Sequence, residues 1–166
     1  ELIHYDDTGR VLAYQTNPAC AAGTGSFLDE QMSRLGLSLE GINDIPIDEN
    51  APLVASRCAV FAKTDLIHLQ QEGHSAYAMY NGLCKGLAIS GVKSVFGGNI
   101  PDGRDILLSG GLLENPHVRH FLKKILPEAT QVSKPMFSRA KGLCEKARKH
   151  AFKMNGFTRC IETLDG

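Results

Sequence analysis

A cysteine, two glycines and two hydroxyl side chains lie together in the stretch Asn17-Pro-Ala-Cys-Ala-Ala-Gly-Thr-Gly-Ser26. A strand-like run ends just before this stretch, and a helix-like run begins just after it. Gly23 and Gly25 permit a tight turn, so the free N–H groups at the start of the helix can face a ligand. The positive end of the helix dipole favours the thiolate of Cys20, which is the form that binds metal. Taken alone, the stretch favours a glycine-rich helix start that carries an inert cysteine.

A second cysteine lies in the stretch Ala55-Ser-Arg-Cys-Ala-Val-Phe-Ala62. Ser56 is a good N-cap, so we expect a helix from this point to Gly73, with Cys58 in its first turn. One side of this helix is apolar and is expected to pack inward through Phe61, Ala62, Leu66 and Leu69. Cys20 and Cys58 would then lie at the N-termini of two helices, where both thiolates are favoured.

A third stretch, Ile106-Leu-Leu-Ser-Gly-Gly-Leu-Leu-Glu-Asn-Pro-His-Val118, combines a strand-like run with a diglycine. We expect a buried strand over Asp105–Leu108 that runs into Gly110 and Gly111, followed by a helix. A strand that leads into glycines and then a helix is a common way to receive a nucleotide at the carboxyl end of a sheet. The diglycine alone is a weak signal of a nucleotide site.

The remaining periodicity predicts a β-hairpin from Leu2–Tyr5 and Val11–Tyr14, with its turn at Asp6-Asp-Thr-Gly-Arg10. Four further helices are expected at about Ser26–Leu35, Ala76–Val95, Pro116–Leu126 and Ser138–Met154.

Smaller predictions concern the segments between these elements. Residues 41–52 are interpreted as an exposed loop, and His117 and His120 as surface histidines. Cys84 lies in an apolar stripe and is interpreted as a small buried hydrophobe. The last helix is expected to pack through Leu143, Cys144, Ala147 and Ala151. Cys160 is assigned no role.

Taken in this order, the three stretches resemble the ATPase activators of 2-hydroxyacyl-CoA dehydratases and the ATPase subunits of benzoyl-CoA reductases. Together these form the BadF/BadG/BcrA/BcrD ATPase family. The Cys-Ala-Ala-Gly-Thr-Gly core around Cys20 is the most specific match. The stretch around Cys58 looks like the family's Ser-x-Cys-Thr-Val-Phe-Ala block. The diglycine stretch looks like its Gly-Gly-x-x-x-Asn nucleotide loop, and the resemblance extends over roughly residues 1 to 126.

The resemblance implies the α/β fold of actin, sugar kinases and heat-shock ATPases, with a ribonuclease-H-like mixed sheet and flanking helices. It also implies a homodimer with one 4Fe–4S cluster on its two-fold axis. ATP binding and hydrolysis, with magnesium, would drive single-electron transfer to a CoA-thioester dehydratase or reductase. Matched residue by residue, the cluster ligands are Cys20 and Cys58. The glycine turn beside the cluster is Gly23, Thr24 and Gly25, and the nucleotide loop contains Gly110, Gly111 and Asn115.

The number of ligands agrees with a shared cluster. A 4Fe–4S cluster usually takes four cysteine thiolates. This chain offers two at helix starts, so two chains related by a C2 axis would supply the set.

Three departures from the family pattern are present. The family's N-terminal phosphate loop is absent from this sequence, and its second phosphate loop is expected just before Glu1. We therefore expect residues 1–166 to be a single domain that forms the second half of a longer activator. Lys63-Thr-Asp65 replaces an acidic segment, and Ala140–Lys146 replaces a small-residue block near the C-terminus.

Composition narrows the alternatives. Lys plus Arg number 18 and Asp plus Glu number 18 in 166 residues, so the balance of charge gives no electrostatic case for nucleic acid or an anionic membrane. Five cysteines without a Cys-x-x-Cys pair favour a reducing, cytoplasmic compartment. Two other functions stay open: a sugar kinase of the same superfold, which lacks an evident catalytic base here, and a non-catalytic dimerisation or regulatory domain.

Overall fold

The computed structural model describes residues 1–16, 25–55, 58–97, 99–100 and 105–149. Over these ranges the chain combines five helices with two pairs of strands. The strands of the first pair are antiparallel and form a hairpin, whereas those of the second pair are parallel.

The hairpin at the start of the chain confirms the sequence prediction. Strand β1 (Leu2–Tyr5) pairs antiparallel with β2 (Val11–Gln15). The turn depends on Asp6, whose carboxylate accepts hydrogen bonds from the hydroxyl and the backbone N–H of Thr8 and from the backbone N–H of Arg10. These bonds, the Thr8 hydroxyl first, hold the pKa of the Asp6 carboxyl below its usual value.

Three helices follow, namely α1 (Gly25–Arg34), α2 (Ala59–Gln71) and α3 (Ala76–Phe96). The ends of α3 agree with local signals, because the Ser75 hydroxyl accepts the backbone N–H of Ala78 and Gly97 ends the helix at φ 61°. The start of α2 was predicted too early. The helix begins at Ala59 with Cys58 as its N-cap residue, and Ser56 lies outside the described residues.

The core forms around α3, against which α1, α2 and a later helix, α4 (Pro116–Ile125), pack. Its most buried apolar side chains from α1 and α3 are Leu28, Met32, Met79, Tyr80, Leu83, Cys84 and Ala88. Helix α2 adds Ala62 and Leu66, with Leu69 partly buried. The prediction that Phe61 packs inward is wrong, because this side chain is 66% exposed.

The segment predicted as an exposed loop, residues 41–52, is partly a packing element. Asn81 of α3 donates a hydrogen bond to the Pro46 carbonyl at 3.0 Å. A Cβ atom added at Gly82 would lie 2.0 Å from the Pro52 carbonyl oxygen, so the backbone of this segment runs directly over α3. The buried side chains it contributes, with the residues just after it, are Ile45, Ala51 and Val54.

Strand β3 (Leu107–Leu108) pairs parallel with β4 (Thr130–Gln131), and α4 connects them. The strand was predicted to be longer and buried, but Leu107 is 52% exposed. Within the part of the chain that the structure describes, β3 has a neighbouring strand on one side only.

The last described helix is α5 (Ser138–Lys149). The prediction that its apolar residues pack inward is wrong for Leu143, which is 68% exposed, and for Ala147, which is also exposed. Cys144 is half-buried, and Ala151 lies outside the described residues.

Candidate functional site

An open glycine loop follows β3. Gly110 adopts φ 125°, a conformation that side chains disfavour, and its backbone N–H donates a 3.0 Å hydrogen bond to the Pro135 carbonyl. A Cβ atom at Gly110 would meet no atom within 4 Å, so the space over the loop is free. The backbone then forms a 3-10 turn over Gly111–Glu114, anchored by buried Leu113. This arrangement leaves room for a planar group next to the backbone.

A second 3-10 turn, Pro135–Phe137, lies against the first. Met136 is 54% exposed and Phe137 is 60% exposed. Carbon atoms of the Met136 side chain lie 3.8 Å from the Cβ position of Gly111. Exposed apolar surface beside an open glycine loop suits contact with the face of a flat ring. Neither residue is predicted from the sequence, although two apolar side chains just before a polar helix are an available signal.

The hydroxyls of Ser109 and Ser138 are hydrogen-bonded to each other. Ser138 also donates to the Pro135 carbonyl at 3.0 Å. The start of α5 is therefore tied to the glycine loop through side chains as well as backbone.

Asn115 closes the loop and begins α4. Its Oδ1 accepts the backbone N–H groups of His117 and Val118 at 3.0 and 3.2 Å, which is N-capping geometry. Its Nδ2 donates to the Tyr80 hydroxyl at 2.7 Å. Both polar atoms of the side chain are thus engaged within the chain, and Asn115 shapes the loop from behind.

His117 lies behind the loop and is 1% exposed, so the surface prediction is wrong for this residue. Its ring meets the Tyr80 ring edge-on at a centroid distance of 5.3 Å, and its Nε2 lies 3.1 Å from the Ile45 carbonyl oxygen. A carbonyl can only accept, so Nε2 carries the proton. Burial lowers the pKa of this imidazole and keeps it neutral. His120 is partly exposed and contacts Glu49 at 3.2 Å.

Cys58 is a half-buried free thiol at the N-cap of α2. Its carbonyl accepts the backbone N–H of Ala62 at 3.0 Å, and its own side chain makes no capping hydrogen bond. Val60 and Phe61, immediately beyond it, are 67% and 66% exposed. The thiol therefore lies at the start of a helix next to exposed apolar surface.

The other predicted cluster residues are described less fully. Cys20, Gly23 and Thr24 lie outside the described residues, so their placement relative to Cys58 stays a prediction. Gly25 is the first residue of α1, and a Cβ atom there would meet nothing within 4 Å. Within the described ranges, three or more His, Cys, Asp or Glu side chains do not come together in a group that could hold a metal ion.

Two further cysteines differ in environment. Cys84 is fully buried in α3, and burial raises the pKa of its thiol to about 12, which confirms that it behaves as a small hydrophobe. Cys144 is half-buried on α5, and Cys160 lies outside the described residues.

Long helices and a strand that leads into an open glycine loop are features of actin-like α/β ATPases, and solved structures similar to this chain are of that class. The chain belongs to the BadF/BadG/BcrA/BcrD ATPase family, which matches residues 1–142. The predicted family and fold class are thereby confirmed.

Two solved structures are similar. Component A of (R)-2-hydroxyglutaryl-CoA dehydratase from Acidaminococcus fermentans superposes with a TM-score of 0.66 at 26% identity, covering 81% of this chain and 52% of that one. The activator of 2-hydroxyisocaproyl-CoA dehydratase from Clostridium difficile, with bound ADPNP, superposes with a TM-score of 0.69, covering 93% and 60%. Its identity is 20%, so this likeness concerns the fold alone.

Among curated sequences, a benzoyl-CoA reductase subunit from Thauera aromatica is 32% identical over 111 residues. That alignment covers 66% of this chain and 39% of the relative. The curated relatives are matched over 34% to 54% of their own length, so the chain spans about half of such proteins or less. None of the described helices is long and apolar enough to cross a membrane.

Proposed function

We propose that this chain is the cluster-bearing half of an ATP-dependent activator that passes single electrons to a CoA-thioester dehydratase or reductase. The observation that carries the proposal is Cys58, a free, half-buried thiol at a helix N-cap in a member of this ATPase family. Similar proteins are named as activators of lactoyl-CoA and 2-hydroxyisocaproyl-CoA dehydratases, which supports the class of partner.

The loop at Gly110 and Gly111 is the proposed contact for ATP or ADP. Its role is to let the adenosine moiety approach the backbone, while Met136 and Phe137 offer apolar contact to the base. Asn115 holds the loop in place by its three hydrogen bonds. Gly23, Thr24 and Gly25 are proposed to form the turn beside the cluster.

Cys20 and Cys58 are the proposed ligands of a 4Fe–4S cluster shared by two copies of the chain. The donor chemistry fits, because Cys58 is a thiol with partial access to solvent, whereas Cys84 is sealed in the core. When bound, such a cluster supplies a one-electron carrier. The chain's own contribution is to place the Cys58 thiol at a helix start, where backbone N–H groups stabilise negative charge.

The assignment is tested by anaerobic reconstitution with iron and sulfide. We expect a brown dimer with about four irons per two chains, as four-thiolate ligation requires. A chelator or oxygen should bleach it and weaken the dimer, because metal that binds only the associated state stabilises that state by mass action. Iron content and sedimentation measure the two effects.

Serine substitutions identify the ligands. Cys20→Ser and Cys58→Ser should abolish the cluster, while Cys84→Ser, Cys144→Ser and Cys160→Ser should retain it. Iron binding that survives Cys58→Ser but not Cys84→Ser contradicts the assignment.

Two other outcomes would identify the alternative functions. Sugar-dependent release of ADP would identify a sugar kinase. A protein that binds neither iron nor nucleotide would be a regulatory dimerisation domain. We assign the protein to the reducing cytoplasm on the basis of its five cysteines and absence of a Cys-x-x-Cys pair.

A further inference from the structure

Tyr80 links the N-terminal part of α3 to the glycine loop. The residue is 0% exposed, and its hydroxyl accepts the Nδ2–H of Asn115 at 2.7 Å. Burial raises the pKa of the phenol, so it stays protonated and can donate as well as accept. The hydroxyl is therefore held against the loop residue inside the core.

The geometry leaves Asn115 little freedom. Its Oδ1 is committed to the N–H groups of His117 and Val118, so its amide nitrogen must face Tyr80. Asn115 also donates its own backbone N–H to the Leu112 carbonyl at 3.2 Å, within the turn that follows Gly110. A shift of the Tyr80 hydroxyl would therefore act on Asn115 and, through it, on the backbone of the glycine loop.

Helix α3 is in turn packed against α2, whose N-cap residue is Cys58. A single helix therefore contacts both the element that carries the candidate metal ligand and, through Tyr80, the candidate nucleotide loop.

We propose that Tyr80 is a positioning residue for nucleotide binding, and that its hydrogen bond to Asn115 holds the Gly110–Glu114 loop in the conformation that receives adenosine. The inference rests on the proposed nucleotide site. It concerns a residue that does not itself reach the open side of the loop, since Tyr80 is fully buried.

The test is Tyr80→Phe, which removes only the hydroxyl. The matched control is Tyr77→Phe, on the same helix, where the side chain is 47% exposed. Hydrogen exchange without nucleotide should quicken about fivefold at the amides of Leu113 and Asn115, as expected for loss of one buried hydrogen bond, and stay unchanged in the middle of α3. The Kd for ADP should rise about fivefold, while Tyr77→Phe leaves both quantities unchanged.

A double-mutant cycle separates positioning from general destabilisation. Asn115→Ser keeps a capping oxygen but has no amide to reach Tyr80. In that background Tyr80→Phe should no longer alter loop exchange or ADP affinity. An effect of equal size in both backgrounds, or no change at Leu113 and Asn115 in the single variant, overturns the inference. If the unaltered protein binds no ADP, the proposed nucleotide site fails, while hydrogen exchange still decides whether Tyr80 orders the loop.

Discussion

At the scale of single residues, polar and small side chains inside the core decide how the site is held. Asn81 ties the segment after α1 to α3, and Asn115 ties the glycine loop to α4 and Tyr80. Buried polar groups are costly unless they are paired, so each of these bonds selects one arrangement of backbone. The site therefore depends on residues behind it as much as on those facing it.

Gly82 is needed for the close approach of two backbone segments. In Gly82→Ala the new Cβ would lie 2.0 Å from the Pro52 carbonyl oxygen, so one of the segments must shift. We expect the free energy of unfolding to fall by about 2 kcal/mol or more, as for overpacked cores. Denaturant titration measures the change.

Gly91 provides the control for this substitution, because it lies on the same helix and its Cβ position is open. Gly91→Ala should raise the free energy of unfolding by about 0.5–1 kcal/mol through helix propensity. Equal effects of the two substitutions would show that the Pro52 contact does not limit the packing.

His117 should make stability depend on pH. Burial lowers its pKa in the folded state below the unfolded value of about 6.5. The unfolded chain therefore takes up the proton first, so the contribution of neutral His117 is complete above about pH 6.5 and is lost as the pH falls through and below that value.

Denaturant titrations between about pH 8 and pH 5 should show this loss of stability, and His117→Gln should reduce the slope with pH. His68→Gln is the control, because His68 is exposed on α2. An unchanged slope in His117→Gln would mean that the ring is not held neutral.

At the scale of elements, α3 organises the molecule. It spans Ala76–Phe96, and α1, α2 and α4 all pack against it. Its N-terminus is fixed by Ser75 and its C-terminus by Gly97. Since the candidate nucleotide loop and α2, whose N-cap residue is Cys58, both contact this helix, we expect its integrity to affect both candidate sites.

Ser75→Ala should lower the free energy of unfolding by about 1 kcal/mol, because the backbone N–H of Ala78 loses its acceptor. Ser75→Asp retains a capping oxygen and should restore most of the stability. Thermal unfolding followed by circular dichroism compares the three proteins. A Ser75→Asp variant as unstable as Ser75→Ala would argue that the cap contributes little to α3.

At the scale of the whole molecule, the chain corresponds to only part of the length of its curated relatives. It spans about half or less of the curated relatives' length, and its described residues include the candidate nucleotide loop at Gly110 and Gly111. Catalysis of phosphoryl transfer depends mainly on charge stabilisation and positioning around the phosphates. A glycine loop that contacts only the adenosine moiety is insufficient for this chemistry.

We therefore expect residues 1–166 alone to show negligible ATP turnover, measured as phosphate release. ADP binding by the same chain, measured by calorimetry, is the companion experiment and should be weaker than in relatives of full length. Robust hydrolysis by this chain would show that its phosphate contacts are more complete than proposed.

Local signals in the sequence determined the ends and types of most elements. Ser75 and Gly97 bound α3, Asn115 begins α4, and the turn at Asp6 closes the hairpin. These signals act through hydrogen bonds between residues close in the chain, so they can be recognised without a fold. The family was recognised in the same way, from short blocks around Cys20, Cys58 and Gly110.

The tertiary structure alone decided which faces are covered. His117 is buried and Phe61 is exposed, against expectation, and Leu143 on α5 has no apolar cover in the described part of the chain. Met136 and Phe137 belong to the candidate site because the folded chain leaves both side chains exposed beside the glycine loop. A periodic apolar stripe shows that a helix has an apolar side, but burial depends on segments distant in sequence, such as residues 45–54 over α3. Those long-range contacts exist only once the chain has folded.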